Sequence, residues 1–249
     1  MARRLARSLS GFSLVLVASL VAGCEFAPTQ GPADPPAGDL PAVALTCGDD
    51  HVFGPEALTI AGEAHLAIDA AGDALRAFLA SPDGAPFVTP SWVRVSETAD
   101  RVQFIGRRPN DEGWLFVNFA ARDDHWELDL AGECRPRVVL GGGLGPADWW
   151  IDPASPPRGP EATEFDVLVL ERACASGQSS EGRIAPPFVL YEADAVVLTF
   201  GVVLKPGGGR CPSNPPSGYH VKLHEPIGNR WLLDGGVFPP RDATKPPSP

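Results

Sequence analysis

The sequence predicts two folded halves: an α+β half of one helix on a four-stranded antiparallel meander, followed by an all-β half shaped as an immunoglobulin-like sandwich. Three observations carry this expectation. A helical stripe precedes four runs of period two between residues 42 and 140. From 147 to 238 every apolar pattern has the length or period of a strand. Beyond the first 41 residues about 208 remain, room for two domains of ~100 residues each.

The helix is read over Glu63–Ala80, where Ile68, Ala71, Leu75, Phe78 and Leu79 recur at spacings of three and four between Asp69, Asp73 and Arg76. Ser81-Pro82-Asp83-Gly84 ends it. Strands follow at Trp92–Val95, Val102–Ile105, Trp114–Ala120 and His125–Leu130, the last alternating Trp126, Leu128 and Leu130 with His125, Glu127 and Asp129. The polar breaks Glu97–Asp100, Pro109–Gly113 and Arg122–Asp124 suit hairpins. The helix is expected to cover the sheet face bearing Trp92 or Val93, Phe104, Trp126 and Leu128.

Gly141-Gly142-Gly143-Leu144-Gly145 lacks the Lys and Ser or Thr of a phosphate loop, and no helix opens after it, so 141–146 reads as a hinge. In the second half, strands are read at Phe165–Leu170, Phe188–Tyr191, Ala195–Leu204, Tyr219–Leu223 and Trp231–Leu233, separated by Pro- and Gly-rich loops. An antiparallel sandwich of six or seven strands is the simplest architecture for residues 147–238. The tail, 239–249, is disordered by composition.

Ahead of both halves, Arg3, Arg4 and Arg7 precede an apolar run, Phe12–Val21, that is too short for a permanent membrane helix. This is the order of a secretory signal, 1–23. Its end, Val21-Ala22-Gly23-Cys24, resembles the lipobox of bacterial lipoproteins. The resemblance implies that Cys24 is the lipid attachment site and the mature N-terminus, so the chain is held at the extracytoplasmic face of the cell membrane. Two or three acyl chains, at about 0.8 kcal/mol per buried CH₂, make such an anchor stable. Residues 24–41, rich in Pro, Gly, Ala and Asp, then read as a disordered tether with a reach of about 50 Å.

Formal charge is −11 for the chain and −14 once the three signal arginines are removed. A balance this acidic argues against nucleic acid as a partner and is the ordinary solubility charge of a secreted protein. With Cys24 lipidated, Cys47, Cys134, Cys174 and Cys211 remain, an even number in an oxidising compartment, so two disulfides are expected. Three connectivities are open; a two-domain fold would select Cys47 with Cys134 and Cys174 with Cys211. Their spacing does not suit a zinc knuckle.

The segments Trp150-Ile151-Asp152-Pro153, Glu171–Gly177, Cys211–Pro216, Glu225–Arg230 and Leu233-Asp234-Gly235-Gly236 resemble a domain that recurs in secreted proteins and lipoproteins of high-GC Gram-positive bacteria. It covers roughly the last hundred residues before the tail. The resemblance supports the pairing of Cys174 with Cys211 and implies no catalytic residue.

Several constellations invite chemistry and fall short of it. His220 and His224, four apart on a strand, stand too far from each other to share an ion, with Lys222 between them. Ser176 lacks a nucleophile elbow. Arg183, in the polar loop Ser179–Arg183, is a lone loop cation. Asp49-Asp50 and Asp123-Asp124 are adjacent carboxylates without a calcium-loop pattern. Trp149 and Trp150 offer an aromatic shelf at the junction or simply pack there. No catalytic residue, metal or cofactor is assigned. The expectation is a monomeric, lipid-anchored binding or structural module of the cell envelope, its partners the membrane and an envelope protein or glycan. The alternative is an envelope hydrolase or carbohydrate-active enzyme using scattered Asp, Glu and His.

Overall fold

The computed structural model describes residues 43–48, 51–60, 68–89, 91–108, 113–206 and 210–247. It is mostly β, in several largely antiparallel sheets. Two short strands, β1 (Leu45–Thr46) and β2 (Val52–Phe53), lead to a short helix, α1 (Glu56–Ile60). Helix α2 (Ala70–Leu79) starts where Asp69 Oδ1 accepts a bond from Gly72 N at 2.8 Å, satisfying one of the donors that a helix start leaves open. Ile68, read from sequence as part of the apolar stripe, lies ahead of this cap and is 96% exposed. Residues 63–67 of the expected helix lie outside the described residues. At the other end Ser81 Oγ donates to Phe78 O at 2.7 Å and accepts from Gly84 N.

Strands β3 (Trp92–Glu97), β4 (Arg101–Arg107), β5 (Trp114–Arg122) and β6 (His125–Cys134) form an antiparallel sheet in sequence order. Because side chains alternate across a pleat, its two faces bury different sets. Trp92, Val102, Phe104, Val117 and Phe119 pack with Ala71, Leu75 and Phe78 of α2. Ile105 and Phe116 pack on the other face with Leu45, Phe53 and Leu58, a cover the sequence reading did not anticipate. There β7 (Arg137–Val138) pairs with β1 to complete a small sheet of order β2-β1-β7. Leu128, expected under the helix, is 47% exposed. Asn118 pairs with Leu130 and Phe119 with Leu128, so Asp129 is the extra residue of a bulge and the two leucines fall on opposite faces. Leu128 stays on the Phe119 side, but β6 is the outer strand of the sheet and among the described residues has no further strand beside it.

The second half comprises β8 (Leu144–Ile151), β9 (Glu164–Glu171), β10 (Phe188–Tyr191), β11 (Ala195–Val203), β12 (Ser217–Lys222), β13 (Trp231–Asp234) and β14 (Arg241–Asp242). They form one seven-stranded sheet, β12-β9-β8-β11-β13-β14, with β10 also on β11. Its core gathers Trp149, Phe165, Val167, Val196, Leu198, Phe200 and Leu232; full burial of a large apolar side chain contributes about 1.5–3 kcal/mol. Trp149, with no exposure at all, donates its indole N–H to Leu198 O at 2.8 Å, so the indole is core and no shelf.

Three expectations change here. The segment 141–146 is not a hinge throughout: Leu144, Gly145 and Pro146 already belong to β8, paired with Val203, Val202 and Gly201. The pairing is not wholly antiparallel. Strand β8 takes only Phe200–Val203 of β11, and the groups of Ala195–Leu198 pair with β13 in parallel, which satisfies backbone that would otherwise be open. The tail expected to be disordered from 239 instead forms β14 on β13, and Ala243 is fully buried. Residues Leu40–Pro249 cluster as one compact unit. Within it Val138 N donates to Gly236 O at 3.2 Å and Phe238 N to Pro136 O at 2.9 Å, joining the two halves. No helix among the described residues is long and apolar enough to cross a membrane.

Candidate functional site

At one end of the four-stranded sheet Arg107, Trp114 and Cys134 stand opposite one another across β4, β5 and β6. The Arg107 guanidinium lies over the Trp114 ring, 5.7 Å from its centroid, a cation–π contact. After Cys134 the chain turns through Arg135 and Pro136 into β7, and there it meets the segment that follows β13, with Arg137 bridged to Val237. Between these pieces lies a cleft of about 430 Å³, whose wall includes Arg107, Trp114, Arg135, Pro136, Phe238 and Arg241. Phe238 and Pro239 are joined by a cis peptide.

A charge network lies behind this wall. Asp148 stands on the face of β8 turned away from the Trp149 core and is fully buried. Arg137 grips it through both oxygens, Nη1 at 2.7 Å and Nη2 at 3.3 Å, and Arg172 Nε adds a third contact at 2.7 Å. Asp234, also fully buried, accepts from Gly236 N at 2.9 Å and Arg241 Nη2 at 2.9 Å. Gly236 fits because nothing larger does: a Cβ there would stand 2.8 Å from Ala147 O.

Burial pushes the Asp234 carboxyl above the ordinary carboxylate value, against the hydrogen bonds from Gly236 and Arg241, and nearby Asp148 adds to the rise. Burial likewise holds Arg172 below the usual guanidinium value. Asp148 opposes that, while Arg137, Arg135 and Arg241 reinforce it.

The cysteines are bonded as Cys47–Cys134 and Cys174–Cys211, with Cα atoms 5.4 and 4.5 Å apart. Cys24, the acidic pair Asp49-Asp50 and the signal and tether lie outside the described residues. His220 Nδ1 bonds Asp166 Oδ1 at 2.7 Å, whereas the His224 backbone N–H donates to the Tyr191 hydroxyl. Ser176 accepts from Arg210 N at 3.1 Å, which ties its loop beside the disulfide. Arg183 is committed to buried Glu171 through both guanidinium nitrogens and to Val203 O. Asp123, at φ +50°, makes the turn between β5 and β6. Among the described residues no group of three or more His, Cys, Asp and Glu is arranged to hold a metal ion.

A second, more open cleft of about 540 Å³ is lined by Ser155, Arg158, Glu161, Glu164, Asp166 and His220, among others. The hydrogen bond from His220, then that from Ser155, holds the Asp166 carboxyl below the ordinary range. Asp166 is thus the hub: its carboxylate is hydrogen-bonded by both the imidazole and the serine.

The sequence reading did not single out Arg107, Trp114, Arg135, Asp148 or Arg241. One signal was present: Asp148 interrupts the apolar stretch between Ala147 and Trp149-Trp150, and a charge within a buried strand needs a partner. Comparison with protein-family models, curated proteins and solved structures gives no match.

Proposed function

We propose that this chain is a lipid-anchored, extracytoplasmic binding module of the cell envelope, non-enzymatic, with the arginine-lined cleft as its binding surface. The observation that carries the reading is the makeup of that wall: three arginines, an indole and a phenyl ring. Guanidinium groups stay charged at every physiological pH and present fixed donors. Such groups hold a ligand well and exchange protons poorly.

The anchor rests on the order of basic residues, apolar run and Val21-Ala22-Gly23-Cys24, which resembles a lipobox. The resemblance of the second half to a recurring domain of secreted proteins agrees with it. We read that half as an immunoglobulin-like β-sandwich and the first as an α+β unit, acting as a monomer that meets an envelope protein or glycan. A hydrolytic alternative draws on the second cleft, where Glu161, Glu164, Asp166 and His220 converge. Against it, Asp166 is shifted toward the ionised form, opposite to what a general acid requires.

Mass spectrometry of the mature full-length protein from membranes tests the anchor. A diacylglyceryl thioether on an N-terminal Cys24 supports it, and an unmodified cysteine defeats it. Turnover of a model glycoside or ester by the same protein would defeat the non-enzymatic reading.

A further inference from the structure

The cleft at the seam of the two halves carries a charge opposite to that of the molecule. The chain holds 31 Asp and Glu against 20 Lys and Arg, yet the lining of the cleft contains three arginines and no carboxylate. Behind it Arg137 and Arg172 share Asp148, and Arg241 takes Asp234. With Arg135, four guanidiniums answer to two carboxylates. Arg135 is the one left over: it is exposed, and it makes no hydrogen bond or ion pair with any described residue.

Each guanidinium presents its donors in a planar fork that matches the two oxygens of a carboxylate or the edge of a phosphate. The remaining wall is apolar, with Trp114 and Phe238 as its rings. A volume of about 430 Å³ falls in the lower part of the range for small-molecule sites, ~300–1,000 Å³.

Resting on the reading of this cleft as the binding surface, we propose that its ligand is a small organic oxyanion. Its carboxylate or phosphate sits on Arg135, within reach of the Arg107 and Arg241 field, and its sugar ring or carbon body lies against Trp114 and Phe238. The second cleft, lined by Glu161, Glu164 and Asp166, has the wrong sign for such a ligand and serves as an internal contrast.

Titration calorimetry on the full-length protein in detergent tests this with three probes: glucuronate, glucose 6-phosphate and uncharged glucose. At least one anion should bind at one site while glucose does not. A hydrogen bond to a charged group is worth ~1.5–3 kcal/mol, so Arg135→Gln should weaken the anion about tenfold to a hundredfold. Arg135→Lys, which keeps the charge and loses the fork, should fall between, and Arg158→Gln in the second cleft should leave binding unchanged.

Preference for glucuronate or for glucose 6-phosphate assigns the ligand to carboxylates or to phosphate esters; equal binding supports the shared oxyanion. Anions that bind no better than glucose, or that bind Arg135→Gln as well as the parent protein, overturn the proposal. Failure of that kind with Cys24 lipidated would leave the anchored-module reading intact. Release of phosphate or sugar from a bound probe would leave the site standing and overturn the non-enzymatic reading.

Discussion

Arg241 and Asp234 face each other across the β13–β14 ladder, with Arg241 Nη2 2.9 Å from Asp234 Oδ2 and 2.7 Å from Trp149 O. One guanidinium therefore ties the last strand both to the carboxylate on β13 and to the backbone of β8. Asp234 is fully buried and the Arg241 side chain is 17% exposed, so the carboxylate depends on the guanidinium for the solvation that burial removed.

Removing the cation should be costly. Arg241→Leu leaves the Asp234 carboxylate with backbone donors alone, and breaking a buried pair from one side destabilises by about 3–5 kcal/mol. Urea unfolding at pH 7 with the disulfides intact measures it. Burial raises the Asp234 value and Arg241 lowers it, so the variant should raise it further. A raised carboxyl binds its proton more readily in the folded state. That contribution is full below the ordinary carboxylate range and is lost as pH rises through the folded-state value. A carboxyl carbon titration by NMR reads the direction. Asp234 titrating at or below the ordinary value would contradict the account.

The disulfides should stabilise in the order of the loops they close. Cys47 and Cys134 are 87 residues apart and Cys174 and Cys211 37 apart. In the loop-entropy model these closures contribute about 4.6 and about 3.9 kcal/mol as upper values. Paired Cys→Ser variants, compared by urea midpoint, should lose stability in that order. A larger loss at the shorter loop would mean that local packing, not chain entropy, dominates.

Strand β11 was legible because Val196, Leu198, Phe200 and Val202 alternate without a break, and all four are buried. Strand β8 was not legible. It opens with Leu144-Gly145-Pro146, whose Gly-Pro pair reads as a turn, and Asp148 breaks its apolar pattern. The alternation that matters there is Ala147, Trp149 and Ile151 against Asp148 and Trp150. Strand β14 consists of two polar residues among prolines, and its place depends on Asp234, which no local pattern discloses. The cleft was hidden for a related reason. Arg107, Arg135 and Arg241 each sit in ordinary polar surroundings in the sequence, and only strand pairing brings them together.

His125 supplies a test of exposed electrostatics. Its Nε2 is 3.1 Å from Glu127 Oε1 and its Nδ1 3.4 Å from Asp124 Oδ1. The Glu127 hydrogen bond, then that of Asp124, raises its pKa above the usual 6.5. The stability it lends is present below that value and lost as pH rises through the folded-state value. Glu127→Gln should lower the imidazole pKa toward 6.5, read by proton NMR. An unchanged titration would show that the pair does not persist in solution.

Asp69 does two jobs that two substitutions can separate. Its Oδ1 caps α2 through Gly72 N at 2.8 Å, and both oxygens receive Arg94 Nη2, at 2.6 and 2.7 Å. Asp69→Ala removes cap and charge together and should cost about 0.5–2 kcal/mol, the range for losing a capping side chain. Asp69→Asn keeps an oxygen for Gly72 and loses the charge, so at pH 7 its loss should be the smaller. Arg94 first, then Gly72, holds the Asp69 carboxyl below the ordinary value of 3.8. Its contribution is therefore present above 3.8 and disappears as pH falls through the folded-state value. The gap between parent and Asp69→Asn should close in acid, while the gap between Asp69→Asn and Asp69→Ala should remain, because an amide oxygen caps without ionising. Urea midpoints of the three proteins at pH 7 and at the acid end decide it. Equal midpoints for the two variants at pH 7 would assign the whole effect to the ion pair with Arg94 and none to the cap.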